Sequence, residues 1–458
     1  MPHTDLAQAG LAAQTPLIRS SDENLIATCP FKYFLTRRLG IVSAFPSSKA
    51  ATRGIWFHRV FEHYDLPPAE RRTRILALAE KEATDLRATI ARFPDIGPER
   101  EMAMVESLRT AAREALAHFE CAAAVRPQRS RDLGAGFLNY LGASRWKNLA
   151  QECLLVHTDR QNAPRVPRVA QPDLLLYDRI NNNIWIVDLK TTGLDLADYS
   201  NSLRFEFQTQ HYIRVASDLA QDGTLRAAFD IPRDAKVAGM KHLLISMPTI
   251  SLGDKDRPYH YHSMGKKQRR EGTARRTSPK EWQVQVVNVD GELTHDRAYA
   301  DEHDAVVALH NECGKQPSKV IHYESPPSID AYADRLMDWF LGRRDYAHLS
   351  DERAQHPCVN LATTYTSDIL DERTTSDYNT ALRTIHDHAT RKPDPTNFPR
   401  RARGSVDSLT RKATPYSGFY RVDDVTDWPG LMAREHLIQE HRDTSVSIHT
   451  PDTVTTKD

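Results

Sequence analysis

Gln171-Pro172-Asp173-Leu174-Leu175-Leu176-Tyr177-Asp178 and Ile184-Trp185-Ile186-Val187-Asp188-Leu189-Lys190-Thr191-Thr192, joined by an Asn-rich connection at Arg179 to Asn183, decide the fold. Two apolar runs rich in branched and aromatic residues, separated by a tight polar turn, predict a β-hairpin. Residues two apart in a strand share a face, so Asp188 and Lys190 lie on one side. A turn near Asn182 brings Asp173 back beside Asp188. Two carboxylates and an ammonium at one end of a buried sheet are expensive unless they bind something. Carboxylate oxygens suit a hard divalent cation, Mg²⁺ or Mn²⁺.

The surrounding chain sets limits on what that site serves. It has 458 residues, 40% apolar and 27% charged, as expected for a globular protein with a sizeable core. No apolar run approaches the roughly 20 residues of a membrane helix. Met1-Pro2-His3-Thr4-Asp5 lacks a signal pattern. A cytoplasmic protein without membrane partners is therefore expected. Lys plus Arg and Asp plus Glu both number 61, which argues against coating nucleic acid by bulk charge but leaves room for a local basic groove. The cysteines Cys29, Cys121, Cys153, Cys313 and Cys358 are scattered and odd in number, against a disulfide framework.

In chain order, residues 1–16 read as a flexible leader. A short helix, a break at Pro30 and a second helix follow to Leu35. Gly54 to Tyr64 has helical spacing, with Trp56, Val60 and Tyr64 (or Phe57, Val60 and Phe61) on an apolar face and His58 and Glu62 on another. Pro68 to Phe93 and Pro98 to Val125 predict two long helices. The period then changes: strands over Glu152 to His157 and Val237 to Met247, a helix over Leu203 to Leu219, a basic loop from Arg257 to Lys280, a strand over Trp282 to Val289, and helices near His295 to Cys313 and Ser328 to Leu341. Beyond Arg343 one helix, Ser376 to Thr390, is legible, and 443–458 reads as a disordered tail.

Helices around a sheet with Pro172-Asp173 and then Asp188-Leu189-Lys190 resemble the PD-(D/E)XK nuclease superfamily. Further matches resemble its RecB/AddB-like branch, which includes CRISPR-adaptation exonucleases: Gly54, His58 and Glu62 upstream, Thr191 and Thr192 after the lysine, Gln208 and Tyr212 one helical turn apart, and the opening Cys29-Pro30-Phe31-Lys32-Tyr33-Phe34-Leu35. The resemblance implies an α/β fold: a restriction-endonuclease-like central mixed sheet flanked by helices, with an N-terminal helical insertion. It places the nuclease domain at 17–345 (helical part 17–130, catalytic sheet 148–290), with 346–442 as a C-terminal extension. Many relatives hold an iron–sulfur cluster, with one cysteine before the histidine motif and three grouped after the core. Cys29 fits the first position, but no grouped cysteines follow, and a cluster needs about four thiolates. No cluster is expected, and Cys29 reads as a small core residue.

The implied activity is hydrolysis of DNA phosphodiester bonds with Mg²⁺ or Mn²⁺, by an exonuclease acting on ends or single strands in recombination, repair or phage DNA metabolism. Asp173, Asp188, the Leu189 carbonyl and His58 are the implied metal ligands. Lys190 would orient water or offset charge. Gln208 and Tyr212 would position the strand or the site, and Glu152 would support it. The basic stretch would form a phosphate-contacting flap. Gly265-Lys266-Lys267 lacks the remainder of a nucleotide-binding P-loop, so any unwinding falls to a separate helicase or recombinase partner. The alternative is a catalytically silent nuclease-like module used as a DNA-binding scaffold. Taken singly, Asp173 is a turn former, Asp188 and Lys190 an exposed ion pair, and Gln208 and Tyr212 ordinary helix-face residues.

Overall fold

The computed structural model describes residues 11–45, 49–124, 145–158, 165–203, 205–265, 270–278, 281–321, 325–343, 347, 358–369, 371–401, 416–420, 425–440 and 453–455. The chain forms two compact units, residues 1–248 with 339–458, and residues 249–338.

The first unit is built on the predicted hairpin. Leu174–Asp178 pairs antiparallel with Asn183–Thr192, Leu174 opposite Val187 and Asp178 opposite Asn183. Asn182 takes the left-handed turn conformation at φ 53°, which asparagine tolerates better than most residues. On its other side Asn183–Thr192 pairs in parallel with Lys236–Ser246. Parallel pairing demands a crossover, supplied by helices Leu196–Leu203, Phe207–Gln221 and Thr224–Phe229. Trp146–Gln151 and Val359–Tyr365 are the outer strands, giving a mixed five-stranded sheet. Leu175, Ile184 and Ile186 pack in one core with Ile213, Val215, Ala216 and Leu219 of the crossover helix. Burial on both faces explains why the strand reads as a continuous apolar run. Gly239, at φ 152°, lies so close to the outer strand that an added Cβ would meet the Thr364 carbonyl oxygen at 2.1 Å.

Helices Lys49–Phe61, Pro68–Ile90 and Pro98–Ala124 occupy the predicted helical region. The Arg53 guanidinium lies 3.1 Å from the buried carboxylate of Glu114, joining the first to the third. His118 of the third bonds the Ser246 carbonyl at 3.0 Å, fixing the helices to the sheet. A separate aromatic core unites the two ends of the chain: Phe31 and Phe34 pack with Phe398, Phe419 and Trp428, the Phe34 and Phe398 rings stacking at 4.7 Å. Ile41–Ser43 pairs with Leu437–Gln439.

The second unit is an antiparallel five-stranded sheet, in the order Leu293–Tyr299, Glu281–Val287, Arg270–Ser278, Tyr259–Gly265, Ser318–Ile321. Helix Glu302–Cys313 covers one face through Ala274, Trp282, Val284, Val286, Ala305 and Leu309.

Several expectations need correction. The basic stretch from Arg257 is strand, not loop, over 259–265 and 270–278; its open-face polar residues hide the alternation. The helix expected near His295 begins at Glu302, after a strand over Leu293–Tyr299. The helix expected over Leu203 to Leu219 begins at Phe207, and Leu203 ends a separate helix, Leu196–Leu203. Glu152 is not in a strand: Trp146–Gln151 ends before it and Leu154–His157 starts after it. Val359–Tyr365, within the stretch read as an extension, is a strand of the central sheet, and edge strands carry little pattern of their own. Leu11 and Gln14, within the stretch read as a leader, are buried. Thr453–Thr455, within the stretch read as a tail, pairs with Leu154–His157, and its β-branched composition suits that pairing.

Candidate active site

Trp56, Phe57, Val60 and Phe61 anchor their helix by burial and leave His58 facing the sheet. His58 Nδ1 lies 2.9 Å from Asp173 Oδ1. Gly54 passes over Thr191, where an added Cβ would stand at 3.7 Å, an ordinary contact. Asp173 closes the open end of the hairpin, its Oδ2 accepting the Leu189 N–H at 2.5 Å. Its carbonyl accepts the Glu152 N–H at 2.9 Å. Glu152 holds φ 46°, a strained choice for a residue with a Cβ. Its carboxylate takes a hydrogen bond from Gln171 Nε2 at 3.1 Å. One ligand atom each from His58, Glu152 and Asp173 falls within 4.8 Å of the others.

The alternation expected of a strand puts Asp188 and Lys190 together. Lys190 Nζ stands 2.8 Å from the buried Asp188 Oδ2, a close ion pair. Lys190 also donates to Gln208 Oε1 at 2.9 Å, and Gln208 Nε2 reaches Asp188 Oδ1 at 3.4 Å. The Tyr212 hydroxyl donates to the Gln171 carbonyl at 3.1 Å. The crossover helix thus holds the lysine from one side and the approach to Asp173 from the other. His58, Asp173, Asp188, Leu189, Lys190, Gln208 and Tyr212 all gather at this end of the hairpin.

The electrostatics follow from burial. Burial opposes charge on His58, but the hydrogen bond and charge of Asp173 prevail and hold the imidazole above its ordinary value. Burial likewise opposes charge on Asp173, yet His58 and the Leu189 N–H hold that carboxyl below the usual range. Asp188 goes the other way: burial outweighs Lys190, Asp173 repels it, and its carboxyl is pushed up. Lys190, though buried, is held above its ordinary value by Asp188.

Sequence reasoning left some neighbours out. His242 sits opposite Asp188 in the parallel pairing, is pushed down to about 3 by burial and then by Lys190, and meets Thr209 Oγ1 at 3.2 Å. The Tyr199 hydroxyl and the Glu206 carboxyl feel both Lys190 and Asp188. No motif marks these positions. Of the expected flap, Lys266, Lys267, Arg269 and Lys280 lie outside the described residues. Arg257, Arg270 and Arg276 each meet an acid, Asp254, Glu312 and Asp334, at 2.7, 3.3 and 3.3 Å.

A family model of the PD-(D/E)XK nuclease superfamily matches residues 21–305, more than half of the chain. The chain belongs to the PD-(D/E)XK nuclease superfamily. No curated protein matches it. Membership implies a metal-dependent nuclease, and the donor set fits a divalent cation. Two carboxylates, Glu152 and Asp173, and one imidazole, His58, are hard or borderline ligands within reach of one another. Among the described residues no helix is long and apolar enough to cross a membrane.

Proposed function

We propose that this PD-(D/E)XK protein is a deoxyribonuclease of the RecB/AddB-like branch, an exonuclease that uses Mg²⁺ or Mn²⁺ on DNA ends or single strands in recombination, repair or phage DNA metabolism. The observation that carries the reading is the meeting of His58 with Asp173 beside the Asp188–Lys190 pair.

Asp173, Asp188, the Leu189 carbonyl and His58 would hold the ion, with Glu152 as a further carboxylate. When bound, the ion supplies a more acidic water and offsets charge on the phosphoryl group. His58 takes part as a neutral imidazole, so its proton must leave first. Lys190 stays charged and is aimed by Asp188 and Gln208, so its ammonium can orient the attacking water and meet negative charge as it develops. Tyr212 fixes Gln171 and, through it, the approach to Asp173.

The test is a time course on DNA labelled at one end, single- and double-stranded, in Mg²⁺, Mn²⁺ or EDTA. Label released early as short products from one end, and nothing in EDTA, is expected. A ladder of internal cuts would overturn the exonuclease assignment, and an intact strand in all three would overturn the enzyme.

A further inference from the structure

Arg19 lies at the end of the short strand Ile18–Arg19, which pairs in parallel with Arg168–Ala170, Arg19 opposite Val169. That partner strand runs directly into Gln171-Pro172-Asp173. Asp173 is four residue steps along the chain from Val169, so Arg19 stands up to about 13 Å along the strand from the site. The next residue, Ser20, hydrogen-bonds the Tyr212 hydroxyl.

The charge of Arg19 is only partly compensated. Its side chain is half-buried, with Nε enclosed and without a partner. Among the described residues that side chain makes no hydrogen bond and no ion pair. The nearby acid is engaged elsewhere: Asp22 is buried and takes Arg37 Nε at 2.8 Å on one oxygen and the Arg19 backbone N–H at 2.9 Å on the other. Asp22 still attracts the Arg19 charge, but burial and then the repulsion of Arg37 outweigh that attraction. A cation withdrawn from water whose guanidinium has no hydrogen-bonded anion of its own is unfavourable. A guanidinium fork is suited to phosphate oxygens.

We propose that Arg19 holds the substrate by contacting a backbone phosphate of the nucleic-acid strand next to the one lying at Asp173 and Asp188. This rests on the nuclease reading and adds to it a strand direction, along 168–173 toward the site. Arg19 is a positioning residue and touches no reacting atom.

The experiment measures binding of a fluorescent single-stranded oligonucleotide in EDTA, where no cleavage occurs, across a salt series. The wild type, Arg19→Gln and Arg19→Lys are compared on 5′-phosphorylated and 5′-hydroxyl strands. Arg19→Gln should weaken binding about tenfold and lower the salt slope by about 0.7, one single-strand phosphate contact. Arg19→Lys should keep the slope. Without DNA, Arg19→Gln should melt at the same temperature as the wild type or higher, because a costly charge is gone; a merely structural arginine predicts a fall. Loss on both strands supports an internal phosphate, and loss on the phosphorylated strand alone supports a contact with the terminal one. An unchanged slope, or a lower melting temperature with unchanged binding, overturns the proposal. Cleavage by the wild type in Mg²⁺ is followed in parallel. Failure of the nuclease reading thus appears as no cleavage, and failure of this inference as an unaltered slope.

Discussion

The two ends of one hairpin carry buried aspartates in opposite conditions. At the turn, Asp178 takes Arg145 Nε at 3.0 Å, the Ile180 N–H at 3.0 Å and Asn181 Nδ2 at 2.8 Å. Burial opposes its charge, but these partners prevail and pull its carboxyl down to about 2. At the open end, Asp188 pairs with Lys190 at 2.8 Å, but burial outweighs the lysine, Asp173 repels it, and its carboxyl is pushed up. The strands are shared and the residue type is the same, so the difference is one of partners. Asp178 completes a turn; Asp188, despite Lys190, keeps a charge that burial and Asp173 oppose, as in a site that takes up a cation.

The sharpest way to break that comparison is to neutralise each aspartate in turn. Asp188→Asn should lower cleavage at least about a hundred-fold while changing unfolding free energy by about 1 kcal/mol or less, since the lost Lys190 pair is offset by relief of burial and of the Asp173 repulsion, and Asn keeps the Gln208 contact. Activity assays and urea melts on one preparation check both halves. Asp178→Ala should do the reverse. It strands Arg145 and two backbone donors, so stability should drop by about 2–4 kcal/mol with kcat unchanged. A large activity loss in a still-folded Asp178→Ala protein would erase the distinction.

A third prediction uses pH. Burial, then Arg53, pushes His118 down to about 3, and burial, then Arg168, does the same to His211. Both bond backbone carbonyls away from the site. Their folded values lie below the unfolded 6.5, so the unfolded chain binds more protons between those limits. Their contribution is complete above pH 6.5 and is lost as pH falls toward 3, with a slope of up to about 1.4 kcal/mol per pH unit for each. Urea midpoints at pH 7, 6, 5 and 4 measure it. Replacing His211 by Gln should flatten the slope; an unchanged slope would mean the ring is not the proton acceptor.

The smallest effect concerns Glu152. Its φ of 46° is a conformation that glycine adopts freely, so Glu152→Gly should gain about 1 kcal/mol of stability while weakening Mn²⁺ binding. A loss of stability would show that the carboxylate serves the fold and not the site.

How much of this the sequence disclosed depends on range. The hairpin was legible because its apolar runs and turn lie within a few residues of each other, and its register alone brings Asp173 to Asp188. His58, Gln208 and Tyr212 could be matched only through the family motif, since no periodicity says that a helix 115 residues upstream meets Asp173. The edge strand Val359–Tyr365 was illegible because its partner, Lys236–Ser246, supplies what its own composition lacks. The expected loop from Arg257 misled because charge conceals a strand's alternation, and only the pairing with Glu281–Val287 reveals it. Arg19 carries no motif at all; its interest lies in the absence of a partner, which only three dimensions display.

The account stands on a divalent ion held at the open end of the hairpin. Electron paramagnetic resonance of free Mn²⁺, titrated with the wild-type protein and with Asp173→Asn, measures this without reference to cleavage. The account predicts that the wild type removes Mn²⁺ from solution and that Asp173→Asn, still folded, leaves it there. Equal uptake by the two proteins, or none by the wild type, would contradict it.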